Sequence, residues 1–364
     1  MSSVGQGRRC TAVGLGRADP RKGRNGLWQA GETHRRTQAT RRIRRSNYDN
    51  DRSDRRIPLV ALAEADTCSG SSLLADEPMI GTAPLAAAWI AIEQVGPFGH
   101  NAIQQSHFPQ DIATELLARI DGLGIRPALI RRVGKHADSH QPMSSRRVFL
   151  ASSRPGSSAM VTATITDAAH LLEIDFAALA AGDVANAWAR AVVAPEPLLL
   201  VCTHAKRDVC CALKGRPVAA ALVANPRYAD LVWEASHLGG HRFAATAVQL
   251  PHGWVHGRLD VASAGAVIDG ALAAVPTAPM ATARGRSSLN GREQAADIEA
   301  RVVSGIAGID ATRVTDVGDG AFVVSDSSGE QQRVLIREID LEAERHDSCG
   351  KPLTGGRVLH ATVV

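Results

Sequence analysis

The chain has 364 residues, 45% of them hydrophobic and 21% charged, which is ample apolar material for a sizeable globular core. No run approaches the roughly eighteen uncharged apolar residues of a bilayer-spanning helix; even the Ala-rich stretch from Leu85 to Ile92 stops at Glu93, so no membrane partner is expected. The formal net charge of +4 would suggest a nucleic-acid binder, yet residues 1–56 hold 14 Arg and one Lys against five acids, a local +10 that leaves −6 on residues 57–364. The folded body is mildly acidic and no nucleic-acid partner is expected for it.

Residues 1–56 are rich in Arg, Gly, Ser, Asn and Asp and lack apolar periodicity, so they are expected to form a disordered tail. Their basic residues have neither interleaved aromatics nor an amphipathic face, which favours an extension without function, with Val60 as a candidate start, over a nucleic-acid arm. No apolar run follows Arg8 and Arg9, so no secretory leader is read and cytoplasmic residence is the default.

An N-terminal α/β domain is expected over 57–194. Ala86 to Glu93 is a short apolar run closed by Gly96-Pro97, as in a buried strand, and Asp111 to Ile120 has helical spacing closed by Gly122 and Gly124. Arg126 to Val133 and Arg147 to Ala151 read as further strands, and this alternation favours a partly parallel sheet. The Ala-rich segment Asp175 to Ala194 reads as a helix ending before Pro195.

A second domain is expected over 195–276. Leu198 to Cys202 is a compact apolar run typical of a central strand, which would deliver Cys202 at the end where cofactors gather in α/β sheets. Arg216 to Ala224 is read as a helix with Pro217 in its first turn, Leu231 to Ala235 as a strand, and 247–250 with 254–258 as a hairpin. Ala262 to Ala274 closes the domain as a helix. A small α+β extension follows over 277–364, with a helix at 292–303 and short strands within 313–338 split by Ser325 to Gly329. No repeat is visible at the twenty-to-fifty-residue periods of solenoids.

Six cysteines are too sparse for a disulfide scaffold, but Cys202, Cys210 and Cys211 share one ten-residue window, which points to metal or redox chemistry. His237-Leu-Gly-Gly-His241 follows about twenty-five residues later, also after a predicted strand. Thiolate and imidazole are the ligand types that soft and borderline metals share. Gly239 and Gly240 would let the backbone fold tightly enough for both imidazoles to converge and leave room for a bulky cofactor. Three readings compete. Zinc suits the ligand types, but its cysteines usually stand two to four apart. A dithiol oxidoreductase could use Cys210-Cys211, but lacks Cys-x-x-Cys. A 2Fe-2S cluster fits best, because a wide Cys loop can wrap two irons.

The segment from Leu198 to Arg258 resembles the thioredoxin-like ferredoxin domain of the sucrase/ferredoxin-like family, related to proteins with bis-histidinyl 2Fe-2S clusters. The matching positions are Cys202, His204, Arg207, Asp208, Cys211 and then Ser236, His237, Gly239, Gly240, His241, Arg242 and Phe243. Glu77 to Ala83, Ile92 to Gly99, Arg131-Arg132, Gly285 to Ser287 and Ser348 to Pro352 extend the resemblance over roughly 66–355. It implies a 2Fe-2S cofactor on Cys202, Cys211, His237 and His241, with the nine-residue register favouring Cys211 over Cys210. An α/β protein with a thioredoxin-like cluster domain is implied, acting in one-electron transfer or redox sensing with a redox partner protein. An electron carrier is expected rather than a self-contained enzyme; a zinc-stabilised binding module without redox role is the alternative. Imidazoles in place of thiolates would raise the potential relative to all-Cys ferredoxins. The family name also raises sucrose cleavage, but 4% aromatics and no paired acids argue against a glycosidase cleft.

His204 is a candidate to support the cluster or replace a ligand, with a solvated loop histidine equally expected. Arg207 and Asp208 are expected to pair and brace the loop. His252 and His256 are expected to be exposed at the hairpin, while Trp89, Trp233, Trp254, Cys68 and Cys349 are expected to pack as core.

Overall fold

The computed structural model describes residues 64–138, 142–273 and 280–364. The chain divides into two units, 1–57 and 58–364, and every described residue belongs to the second; the Arg-rich tail lies outside the described residues.

After the short helix α1 (Cys68–Leu74), strand β1 (Ala88–Glu93) leads through α2 (Ala102–Gln105) and α3 (Gln110–Ile120) into β2 (Ile125–Arg131), which lies parallel to β1. β3 (Arg146–Ser152) then pairs antiparallel with β1, and β4 (Ala159–Ile165) with β3. Helix α4 (Phe176–Ala181) and the two-residue β5 (Val192–Val193) finish this half. The long helix expected over 175–194 is a correction: Asp175 caps the start, but Gly182 at φ +97° ends the helix after six residues and the chain then turns to bury Trp188. β4 adds a strand that the sequence expectations do not include, although Val161-Thr-Ala-Thr-Ile165 alternates buried apolar residues with more exposed threonines, as a half-buried strand does.

The second half repeats the order. β6 (Leu198–Cys202) leads through α5 (Val209–Val223) into the parallel β7 (Val232–Ala235), β8 (Ala247–Leu250) pairs antiparallel with β6, and β9 (Trp254–His256) with β8. Helix α6 (Val261–Leu272) follows, opened by a reciprocal cap between Asp260 and Ser263. Each half is a βαβ unit followed by a hairpin, with strand order β2-β1-β3-β4 in the first and β7-β6-β8-β9 in the second. Ala88 and Leu198, which open the two halves, are 110 positions apart, a separation well beyond the repeat length of solenoids. The halves join edge to edge, β2 antiparallel to β7 with Ile130 opposite Ala235 and Arg131 opposite Glu234. With β10 (Ala283–Arg286) on β9, they form one ten-stranded mixed sheet that passes without a break across the 194/195 boundary.

β6 reads as a continuous apolar run because both faces are covered. Leu198, Leu200 and Cys202 pack with Trp89, Trp233 and Val248 on one face, while Leu199 and Val201 pack against Val218, Leu222 and Val267 on the other. Helix α5 begins seven residues earlier than the sequence suggested, since Asp208 accepts the Cys210 N–H as its cap. Pro217 therefore lies inside the helix and not in its first turn.

Helix α7 (Gly291–Ser304) packs Ala295, Ala296 and Ala300 on a second, antiparallel sheet of β11 (Thr312–Gly318), β12 (Ala321–Asp326), β13 (Gln331–Asp340) and β16 (Arg357–Val363). Between β13 and β16 the chain leaves this sheet and forms the small pair β14 (Arg345–His346) and β15 (Leu353–Thr354). That excursion carries Asp347, Ser348 and Cys349 back to the start of α5.

Candidate metal centre

The end of β6 and the first turn of α5 bring Cys202 and Cys211 together, both 0% exposed, and the loop after β7 adds His237. The ligating atoms of these three residues lie within 4.8 Å of one another. His237 Nδ1 stands 3.9 Å from Cys211 Sγ. The close approach of helix to strand is made possible by Gly215, where a Cβ would stand 2.1 Å from the Cys202 carbonyl oxygen. The Cys211 thiol donates to Cys202, which draws Cys202 well below the ordinary thiol range and pushes Cys211 above it.

His241 stands beside this group but outside the 4.8 Å set. Its ring centroid is 5.4 Å from that of His237. Its Nε2 lies 2.6 Å from the Asp347 carbonyl oxygen and so must carry the proton, which leaves Nδ1 a bare lone pair. That Nδ1 is buried and has no hydrogen-bond partner among the described residues. Burial holds the His241 imidazole below its usual range, so the neutral, ligand-competent form is favoured. Two sealed thiols, a facing imidazole and an orphaned ring nitrogen form a donor set suited to a thiophilic metal or an iron–sulfur group.

Gly239 and Gly240 have φ of +89° and +71°, so the turn that separates the two histidines uses the left-handed region twice. Beneath it lies the buried Arg284, whose Nη1 donates to the Gly239 carbonyl at 2.9 Å while Nε donates to Thr82 Oγ1 at 3.0 Å. Burial pulls the Arg284 guanidinium down to about 9.

The supporting residues are arranged differently from expectation. His204 is 3% exposed and not a solvated loop histidine. Its Nε2 donates to the Gly99 carbonyl at 2.7 Å and its Nδ1 accepts the His237 peptide N–H at 3.1 Å, so neither nitrogen is free to ligate. The expected Arg207–Asp208 pair is absent among the described residues: Arg207 is exposed, whereas Asp208 is buried and accepts from Cys210 N, Cys349 N and Ser348 Oγ. Cys210 points into a group other than that of Cys211, meeting Cys68 and Cys349. Cys68 and Cys349 pack in one small buried cluster with Cys210, as expected of core residues; 281 residues apart, they carry no spacing signal by which sequence could pair them. His256 is 4% exposed, correcting the expected exposure, and His252 is half-buried, whereas Trp89, Trp233 and Trp254 are core as expected.

A mixed α/β scaffold thus presents thiol and imidazole donors at the ends of two parallel strands, the arrangement of a candidate metal-binding protein. Residues 79–281, more than half of the chain, match the sequence profile of the sucrase/ferredoxin-like family, and the chain belongs to that family. No curated protein and no solved structure matches it. Among the described residues no helix is long and apolar enough to cross a membrane.

Proposed function

We propose that this chain binds a 2Fe-2S cluster through Cys202, Cys211, His237 and His241 and passes single electrons to or from a partner protein. The observation that carries the reading is the opposition of two fully buried thiols to an imidazole within 4.8 Å, beside a histidine whose buried Nδ1 lacks any other partner. When bound, the cluster would supply one reversible oxidation state change, at a potential raised above that of all-thiolate clusters by its neutral imidazole ligands.

The protein's part is to hold and to shield. Cys202 and Cys211 sit on rigid elements and exclude water from the sulfur side, whereas His237 and His241 are partly exposed. Electrons would therefore enter and leave at the histidine edge. His100, Asn101 and Arg207 line a depression that includes His237, and Arg242, Lys351 and Asp347 line another that includes His241. A docking partner would meet these rims.

The test is electron paramagnetic resonance of anaerobically purified protein reduced with dithionite, with iron and acid-labile sulfide assayed on the same sample. A spectrum from a reduced two-iron centre is expected, abolished in Cys202→Ser and displaced in His237→Cys and His241→Cys. A colourless protein that lacks iron and sulfide after oxygen-free reconstitution overturns the proposal.

A further inference from the structure

A second group of donors lies across Asp208 from the first. The Sγ atoms of Cys210 and Cys349 are 3.2 Å apart, those of Cys349 and Cys68 are 3.6 Å apart, and Cys68 Sγ is 3.4 Å from Asp208 Oδ1. All four ligating atoms fall within 4.8 Å of one another. Cys68 and Cys210 are fully buried, Asp208 nearly so, and Cys349 partly. We infer that Cys68, Cys210, Cys349 and Asp208 form a second, closed metal centre that takes a zinc ion and is separate from the Cys202, Cys211 and His237 group.

Geometry and chemistry agree. Tetrahedral zinc with bonds of about 2.3 Å to sulfur places its sulfurs about 3.7 Å apart, so the observed separations need open by only a few tenths of an ångström. Two donors already point at the sulfurs as they do at metal-bound thiolates: the Cys68 peptide N–H reaches Cys349 Sγ at 3.5 Å, and Ser69 Oγ reaches Cys210 Sγ at 3.2 Å. Asp208 supplies the fourth position. Its Oδ2 is taken by Ser348 Oγ at 2.7 Å and Cys349 N at 2.9 Å, whereas Oδ1 holds the Cys210 N–H and the Cys68 thiol. When the three thiols release their protons to solvent on binding zinc, Oδ1 loses the Cys68 donor and gains the ion. A set of three thiolates and one carboxylate with no open position is that of a structural site, not a catalytic one.

The three cysteines come from α1, α5 and the β14–β15 excursion, so the ion would fasten both flanks of the described chain to the first turn of α5, which carries Cys211. The order of the ligands along the chain is unlike a zinc finger's, which is why spacing gave no hint.

The experiment measures zinc, iron and acid-labile sulfide in wild-type protein and in Cys68→Ser, Cys349→Ser and Cys202→Ser, and records the zinc K-edge absorption of the wild type. About one zinc per chain with three sulfurs and one oxygen around it is expected. Cys68→Ser and Cys349→Ser should lose the zinc and keep the iron; Cys202→Ser should keep the zinc and lose the iron, so that failure of the cluster reading leaves this one standing. The proposal is overturned by wild-type protein that holds no zinc and takes none up from added zinc chloride under reducing conditions. It is equally overturned by zinc lost only in Cys202→Ser, by a zinc shell of two sulfurs and two nitrogens, or by a Cys210–Cys349 disulfide in protein isolated without oxidant. The wild-type absorption measurement decides the matter should the serine variants fail to fold.

Discussion

The imidazole of His204 fixes the peptide of His237: Nδ1 accepts the His237 N–H at 3.1 Å, and the opposite nitrogen is spent on the Gly99 carbonyl at 2.7 Å. His204 thus sets where His237 sits without contributing a ligand. Partners of this kind typically change metal affinity 10–100-fold. His204→Ala is expected to raise the rate of iron loss to a chelator by about that range while all four proposed ligands remain. Iron release at the wild-type rate would show that the loop holds itself.

Cys210 and Cys211 are neighbours in sequence but belong to different groups. Cys211→Ser should therefore bleach the visible absorption of the reconstituted protein, whereas Cys210→Ser should leave at least most of it. A bleached Cys210→Ser with a coloured Cys211→Ser would reverse the assignment.

Arg131 and Glu234 form an ion pair of 2.8 Å where the two halves of the sheet meet, each with a side chain 2% exposed. Glu234 also accepts from Thr203 Oγ1 and Gly134 N, and Arg131 from its other arm donates to the Gly96 carbonyl. Removing one partner leaves a charge buried and uncompensated, which costs about 3–5 kcal/mol. Glu234→Ala should lower unfolding free energy in urea by that amount, and Arg131→Met with Glu234→Leu by much less. A single-variant loss below about 1 kcal/mol would mean that water reaches the pair.

Gly240 is placed where both φ, at +71°, and space forbid a side chain: an added Cβ would stand 2.4 Å from Arg284 Nη2. Gly122 has a similar φ of +73° but nothing within 4 Å. Gly122→Ala should cost only the conformational strain of about 1 kcal/mol, and Gly240→Ala clearly more, with loss of iron retention. Equal costs in thermal unfolding would show that Arg284 yields freely.

His256 is buried beside Thr282, and burial lowers it from 6.5 to about 4. The native state therefore binds this proton less readily than the unfolded chain does, so its contribution is complete above pH 6.5 and is lost as pH falls towards 4. Between pH 7.5 and 5 the wild type should lose about 2 kcal/mol more stability than His256→Gln, read from urea titrations at the two values. Parallel losses would show that His256 is protonated in the folded protein.

The central strands and the two segments that meet at the candidate site were legible in the sequence, because β6 is a single unbroken apolar run and the thiols and imidazoles cluster locally. Elements fixed by a capping side chain or a single glycine were not: the Asp208 cap starts α5 at Val209, seven residues before the start at Arg216 that Pro217 seemed to mark, and Gly182 cuts α4 short. Contacts between distant segments were also hidden. Nothing near Cys68 or Cys349 announces the other, and the burial of His204 and His256 depends on neighbours that only the folded chain supplies. The doubling of the sheet order escaped because the halves share topology without visible sequence periodicity.

The excursion that returns Asp347 and Cys349 to α5 has a consequence for biosynthesis. His241 gains its carbonyl acceptor, and Asp208 two of its donors, from residues translated more than a hundred positions later. A nascent chain halted before residue 347 can carry every proposed cluster ligand and still lack the cover that orients one of them. For the proposed ligand set, the final orientation of His241 is therefore reached only once the segment that carries Asp347 has been made and folded back.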